Sequence, residues 1–276
     1  MTYIVDPEWV NDACQREDVR IVDCRFQLGE PEAGKAAYEK EHLPGAVHID
    51  LERDLSAPAE PVGGRHPLPD MDEFADILSE AGIDHHTDVV AYDDQGGAMA
   101  ARFWWMMMYA GHERTFVMDR PFSLWKEEGY PVESRQPELK RKEFILRIQP
   151  QMLASIEEVK LALHEESSRI IDGRDERRYR GETDPVDHTA GHIPGAGHYF
   201  WKDVLDEHLI WKGPKELKDH FQHLPEENRI YSYCGSGVTA CVNVLALNEA
   251  GYENPRLYAG SWSDWISYGD LPVEKG

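Results

Sequence analysis

The chain has 276 residues, 41% of them hydrophobic, with 8 Trp, 12 Tyr and 8 Phe, which is enough to fill packed cores and excludes a largely disordered polypeptide. Its formal net charge of −23 repels phosphate backbones and anionic headgroups, so neither nucleic acid nor membrane is an expected partner. Domains commonly run to roughly 100–200 residues, so two are expected.

The start of the chain lacks a basic stretch followed by an apolar run, and no stretch of about 18 apolar residues occurs anywhere. The four cysteines are Cys14, Cys24, Cys234 and Cys241. None forms a CxxC pair or a zinc-finger spacing with histidine. These features point to a cytoplasmic protein with free thiols.

Apolar runs and helical patterns alternate along the chain. A run at 19–22 reads as a buried strand, 71–81 as a helix, 88–92 as a second strand, 98–110 as a long helix and 114–118 as a third strand. The series returns as strand 169–171, helix 215–223, strand 229–233, helix 238–250 and strand 256–258. The cluster from Phe103 to Met108 is apolar all round, which marks a buried helix rather than a cofactor pocket.

The return is a true internal repeat. Asp23-Cys24-Arg25 reappears as Asp172-Gly173-Arg174, and His42-Leu43-Pro44-Gly45-Ala46 as His192-Ile193-Pro194-Gly195-Ala196, both displaced by about 150 residues. Ala91-Tyr92-Asp93 matches Ser232-Tyr233-Cys234 at a displacement of about 140. The expected organisation is one domain at 1–133, a polar linker at 134–150 and a second domain at 151–276. Each should be α/β, with a mainly parallel central sheet flanked by helices.

Cys234 ends a strand and opens a glycine loop, Gly235-Ser236-Gly237-Val238-Thr239, that leads into a helix. Backbone N–H groups at such a junction, with the positive end of the helix, stabilise an anion. That is what a cysteine nucleophile needs. Gly235, Gly237 and Ala240 match the spacing of a dinucleotide fingerprint, but the acidic residue that should follow about 20 positions later is missing. A cysteine phosphatase would need an arginine six residues after the cysteine, where Ala240 stands. Cys14, Cys24 and Cys241 read as structural. His188 and His192 are four apart but sit in a Pro- and Gly-rich loop, so no metal site is expected.

With these motifs the chain resembles the tandem-domain rhodanese-like sulfurtransferases, the thiosulfate and 3-mercaptopyruvate sulfurtransferase family. The resemblance covers nearly the whole chain, and the string Cys234-Gly235-Ser236-Gly237-Val238-Thr239 looks like the mercaptopyruvate branch. It implies a sulfurtransferase whose Cys234 takes sulfur from a small anionic donor as a persulfide. The outer sulfur would be held by the loop from Gly235 to Thr239, and a thiol, thioredoxin-type protein or cyanide would collect it. It implies no cofactor and no metal. It also implies that the first domain is inactive, since Asp93 stands where the second has Cys234. Arg178 matches the family arginine that binds the donor carboxylate. Ser236, His66 and Asp50 match a serine, histidine and aspartate that relay a proton to the leaving enolate. The family's second carboxylate-binding arginine falls at Asp187, a departure that weakens the case for mercaptopyruvate. A thiosulfate-preferring enzyme and a non-turnover persulfide relay are the alternatives.

Overall fold

Parallel strands covered by helices on both faces are apolar throughout rather than alternating, and two sheets of this kind carry the fold. The computed structural model describes residues 2–225 and 229–276.

The first sheet belongs to a unit made of residues up to 57, 68–149 and 205–211. Its elements are β1 (Ile4–Val5), α1 (Pro7–Ala13), β2 (Val19–Asp23), α2 (Ala33–Lys40), β3 (Val47–His48), α3 (Met71–Glu80), β4 (Asp88–Tyr92), α4 (Ala98–Tyr109), β5 (Thr115–Met118) and α5 (Phe122–Glu127). The strands run parallel in the order β1-β5-β4-β2-β3. All five residues of β4 are buried. In α4, every residue from Ala98 to Met107 is buried, as its all-round apolar sequence requires.

The second unit takes residues 58–67, 150–204 and 212 onward. It contains α6 (Ile156–Ala162), β6 (Ser168–Asp172), α7 (Glu176–Tyr179), β7 (Gly197–His198), α8 (Pro214–His220), β8 (Arg229–Tyr233), α9 (Ala240–Glu249), β9 (Arg256–Leu257) and α10 (Ser261–Trp265). Its strands are parallel in the order β7-β6-β8-β9. The α/β architecture read from the sequence is therefore present twice. The two-residue strands β1, β3 and β7 are too short to leave an apolar run, and the sequence pattern did not mark them. The helix expected from 238 starts at Ala240, because the preceding residues form the loop.

The repeat is also a repeat of contacts. His42 and Glu133 exchange two backbone hydrogen bonds of 2.8 Å, and the Glu133 carboxylate accepts from the Gly45 N–H at 2.7 Å. His192 and Glu274 do the same at 2.9 and 3.0 Å, with the Gly195 N–H at 2.7 Å from the Glu274 carboxylate. His42 and His192 each place Nδ1 at 2.7 Å from a tyrosine carbonyl, that of Tyr38 and of Tyr179, and stack on the same ring. These histidines brace their loops.

Residues 134–149 cluster with the first unit. Lys142 and Phe144 donate from their backbone to Ser79, and Arg147 and Gln149 to Ala110 and Tyr109. Among the described residues no helix is long and apolar enough to cross a membrane.

His112 is buried in the first unit, with Nδ1 2.8 Å from Thr115 Oγ1 and Nε2 3.2 Å from the Asp84 carbonyl. Burial pushes its pKa down to about 4. The unfolded chain protonates His112 near pH 6.5 and the folded one only near 4, so stability is lost as pH falls between those values. The loss amounts to about 3 kcal/mol. A His112→Gln variant should lose correspondingly less stability between pH 7 and 4. Denaturant unfolding at both pH values checks this, and equal losses in the two proteins would refute it.

Candidate active site

The site is built on the carboxyl ends of β6 and β8. Asp172, the last residue of β6, is fully buried and pairs with Arg174 at 2.6 Å. Arg174 also donates to the Gly191 carbonyl at 2.6 Å and lies over the Trp262 ring. The Gly173 N–H donates to the Tyr233 carbonyl at 2.8 Å, which fixes the strand end beside Cys234. A Cβ on Gly173 would stand 3.7 Å from the Cys234 Cβ, so this position faces the cysteine.

Cys234 is 2% exposed. Its N–H donates to Ser261 Oγ at 3.1 Å, and its carbonyl accepts from the Trp262 N–H at 3.0 Å. Ser261 has φ 56, an uncommon backbone for a side chain of this type, and its hydroxyl donates to the Tyr258 carbonyl. No local pattern marks this serine, because it reaches the loop only through the fold. Gly237 has φ +79, and a Cβ there would lie 2.1 Å from the Ala259 carbonyl oxygen. Only glycine fits. Val238 and Thr239 carry the loop into α9, their carbonyls accepting from Cys241 and Val242.

Residues 58–67 come from the first half of the sequence but pack in this unit. The Gly63 N–H donates to Asp264 at 2.7 Å and the Arg65 N–H to Ser263 at 3.1 Å. Gly64 has φ +89 and lies so close to Gly260 that a Cβ would meet its carbonyl at 2.5 Å. This anchoring brings His66 Nδ1 to 2.8 Å from Ser236 Oγ, with both residues buried. It also brings Arg65 to the loop. The position a Cβ would take on Gly235 lies 3.0 Å from Arg65 Nη2, 3.2 Å from Arg178 Nη2 and 3.5 Å from Arg178 Nη1.

Arg178 and Arg65 share one partner. Arg178 Nη2 donates to Asp187 Oδ2 at 2.9 Å, and Arg65 Nη1 donates to Asp187 Oδ1. Arg178 also pairs with Asp184 at 3.1 Å. Burial raises the pKa of Asp187, against the pull of Arg65. The structure thus brings together Cys234, Gly235, Ser236, Gly237, His66, Arg178 and Asp187 from the sequence-derived set, and adds Arg65 and Ser261. Asp50 lies in the first unit, buried after β3, where its carboxylate accepts from the N–H groups of Glu52 and Arg53 at 2.9 and 3.0 Å.

The arrangement suits a thiol nucleophile working on an anionic compound, and likeness to known proteins decides the family. The family profile for the rhodanese-like domain matches residues 6–128 and 155–268. The chain belongs to the rhodanese-like family. It is 39% identical to a probable 3-mercaptopyruvate sulfurtransferase of Pseudomonas aeruginosa, over 94% of this chain and 93% of that one. It is 35% identical to a putative thiosulfate sulfurtransferase of Mycobacterium tuberculosis, over 94% and 92%. Among solved structures, the 3-mercaptopyruvate sulfurtransferase of Leishmania major superposes with a TM-score of 0.86 at 28% identity, covering 99% of this chain and 76% of that one. The protein is a sulfurtransferase.

The two rhodanese-like domains differ at the strand end. In the first, the buried Asp93 carboxylate accepts four backbone N–H groups: Gln95 and Gly97 at 2.8 Å, Met99 at 2.7 Å and Ala100 at 3.0 Å. Burial raises its pKa while these N–H groups lower it. This rhodanese-like loop is an anion cradle already filled by its own side chain. The other thiols differ from Cys234 in their surroundings. Burial pushes the Cys14 thiol up to about 12, and burial with the nearby Asp93 pushes Cys24 well above the usual thiol range. Both are held as inert thiols. Cys241 donates to the Gly237 carbonyl at 3.3 Å and braces the loop.

Replacing Gly237 with alanine should destabilise the protein by about 2–3 kcal/mol, because the Ala259 carbonyl must move. Thermal melting checks the loss. An unchanged Tm would show that the loop relaxes freely.

Proposed function

We propose that the chain moves a sulfane sulfur from 3-mercaptopyruvate, with thiosulfate as a second donor, through a persulfide on Cys234 to a thiol, a thioredoxin-type protein or cyanide. The observation that carries this reading is the Ser236–His66 pair at 2.8 Å beside Cys234. A hydroxyl and an imidazole in contact next to a thiol form a proton relay, and only the mercaptopyruvate reaction needs one.

The thiolate of Cys234 attacks the donor sulfur. The S–S bond of the persulfide forms as the donor C–S bond breaks, and the bonding pair leaves on the pyruvate enolate. Ser236 delivers a proton to the enolate carbon and is reprotonated through His66, so pyruvate departs. With thiosulfate the S–S bond of the donor breaks and sulfite leaves with its own electron pair, without a proton. In the second half-reaction an acceptor thiolate attacks the outer sulfur and the Cys234 thiolate is restored.

While the persulfide stands, its outer sulfur is an anion in a closed site. The first domain supports the way this anion is held, since the equivalent loop there gives four N–H groups to a carboxylate. Gly237 (φ 79) takes the backbone turn that Gly96 (φ 71) takes in that loop. Asp93 cannot carry a sulfur, so transfer is confined to residues 151–276 of the second domain together with the segment 58–67. The four cysteines, none of them in a disulfide, fit a reducing cytoplasm.

Purified protein incubated with 3-mercaptopyruvate and a thiol should release pyruvate, and Cys234 should gain the mass of one sulfur. Cys234→Ser should lose both signals. His66→Ala should slow pyruvate release by about 100-fold, within the usual range for a lost proton-transfer group, while thiosulfate turnover falls less. Absence of sulfur on Cys234 with both donors would end the proposal. An equal fall with both donors in His66→Ala would remove the relay from it.

A further inference from the structure

The first unit carries a cleft of about 350 Å³, within the size range of small-molecule sites and lined only by residues of that unit. Two of its lining residues are carboxylates. Asp50 is 2% exposed: its Oδ1 accepts the N–H groups of Glu52 and Arg53, and its Oδ2 meets no donor among the described residues. Asp54 accepts the Asp50 N–H on Oδ2 at 2.7 Å. Burial raises the Asp54 pKa and the Asp50 charge adds to the rise, against the N–H bond from Asp50. A buried carboxylate oxygen without a donor is costly, and a cationic donor brought into the cleft relieves that cost for both side chains. Among the described residues no group of three His, Cys, Asp or Glu side chains could hold a metal ion, so the donor that fits is an organic ammonium.

Two cations line the same cleft, Lys35 and Arg53, each with a side chain nearly half exposed. Lys35 pairs with Glu39 at 4.0 Å and Arg53 with Glu32 at 3.3 Å. Exposed pairs of this kind hold a cation weakly, so both can turn to an incoming carboxylate. Arg53 Nε also stands 4.0 Å from Asp50 Oδ1, which puts opposite charges within the span of one small molecule. Tyr38 and Leu139 add an apolar wall. The Tyr38 ring is fixed, since its hydroxyl donates to the Ala46 carbonyl at 2.9 Å and it stacks on His42 and His48. We propose that this cleft binds a free α-amino acid with an uncharged side chain: the ammonium at Asp50 and Asp54, the carboxylate at Lys35 and Arg53, and the side chain against Tyr38 and Leu139. A simple amine would leave the two cations unused, and a simple anion would meet the two carboxylates. The site does not depend on Cys234 or on the identity of the sulfur donor.

The test is calorimetric titration of the full chain, without any sulfur donor, using three probes. L-leucine carries both charges, L-leucinamide lacks the carboxylate and 4-methylpentanoate lacks the ammonium. Leucine should bind with a Kd of about 1 mM or tighter, and each one-charge probe at least about tenfold more weakly, since each loses its charged hydrogen bonds at one end. Asp54→Asn should weaken leucine binding about tenfold or more, while its side-chain carbonyl still accepts the Asp50 N–H. Lys35→Glu, a change on the exposed side of α2 that leaves the core untouched, should weaken it as well. Melting curves confirm that both variants fold. No leucine binding to the wild type at about ten times that concentration would overturn the proposal. Equal affinity for the three probes would also overturn it, because the cleft would not be reading both charges. Undiminished leucine binding in Lys35→Glu and Asp54→Asn would place the ligand elsewhere and overturn it too. Sulfur loading of Cys234 is measured separately, so a protein that binds leucine but never loads sulfur rejects the sulfur-transfer reading and leaves this one standing.

Discussion

A carboxylate–guanidinium pair buried at the end of a central strand sets the geometry of each domain. Asp23 with Arg25 and Asp172 with Arg174 each close at 2.6 Å, and both aspartates are fully buried. Removing one partner of such a pair leaves a buried charge and costs about 3–5 kcal/mol, so neither residue is free to vary alone. The pair reaches the neighbouring strand as well. The Tyr92 hydroxyl donates to Asp23 at 2.6 Å, and Tyr92 and Tyr233 accept from the backbone of Leu43 and Ile193. One lock therefore ties together β2, β4 and the His42 loop, and another ties β6, β8 and the His192 loop. Tyr233 immediately precedes Cys234, so the lock decides where the thiol stands.

Beyond the lock, the two domains spend the same loop differently. An anion buried at a strand end must be met by donors, and the first domain meets Asp93 with four backbone N–H groups. That loop is closed by its own covalent anion. In the second domain the thiol of Cys234 stands at the corresponding place, directly after β8. The exchanged segments follow the same division. Residues 205–211 pack in the first unit, where Leu205 and Trp211 lie against Gly96 and Gly97 and close the cradle with apolar side chains. Residues 58–67 pack in the second, where they bring Arg65 and His66.

Much of this was legible in the sequence, for physical reasons that also set the limits. Strands β4 and β8 announce themselves because burial on both faces demands continuous apolar runs, and the 98–110 helix because it is apolar all round. The repeat identified Asp93 as the counterpart of Cys234. The short strands β1, β3 and β7 carry too few residues for any period to show. Ser261 and Arg65 escaped for another reason. Arg65 meets Asp187 across 122 positions, and Ser261 meets Cys234 across 27. No local pattern encodes such meetings. His66 was found only through the family resemblance, since it pairs with Ser236 across 170 positions. Asp187 looked like a loss when compared with the family by position alone. In the fold this aspartate is the shared partner of Arg65 and Arg178.

This bears on how so acidic a protein handles an anionic substrate. With a net charge of −23, long-range attraction of the donor is not available, but such a field is screened beyond roughly 8–10 Å at ordinary ionic strength. Close to the loop the arginines are paired: Arg65, Arg174 and Arg178 each meet one or more of Asp172, Asp184 and Asp187. Beside Gly235 the guanidinium nitrogens of Arg65 and Arg178 are fixed in direction rather than spread as a general positive field. Directional recognition requires that the donors be held still, and each of the two guanidinium groups at the loop is held by at least one buried carboxylate. The acidic residues of this site are therefore part of how it holds its arginines.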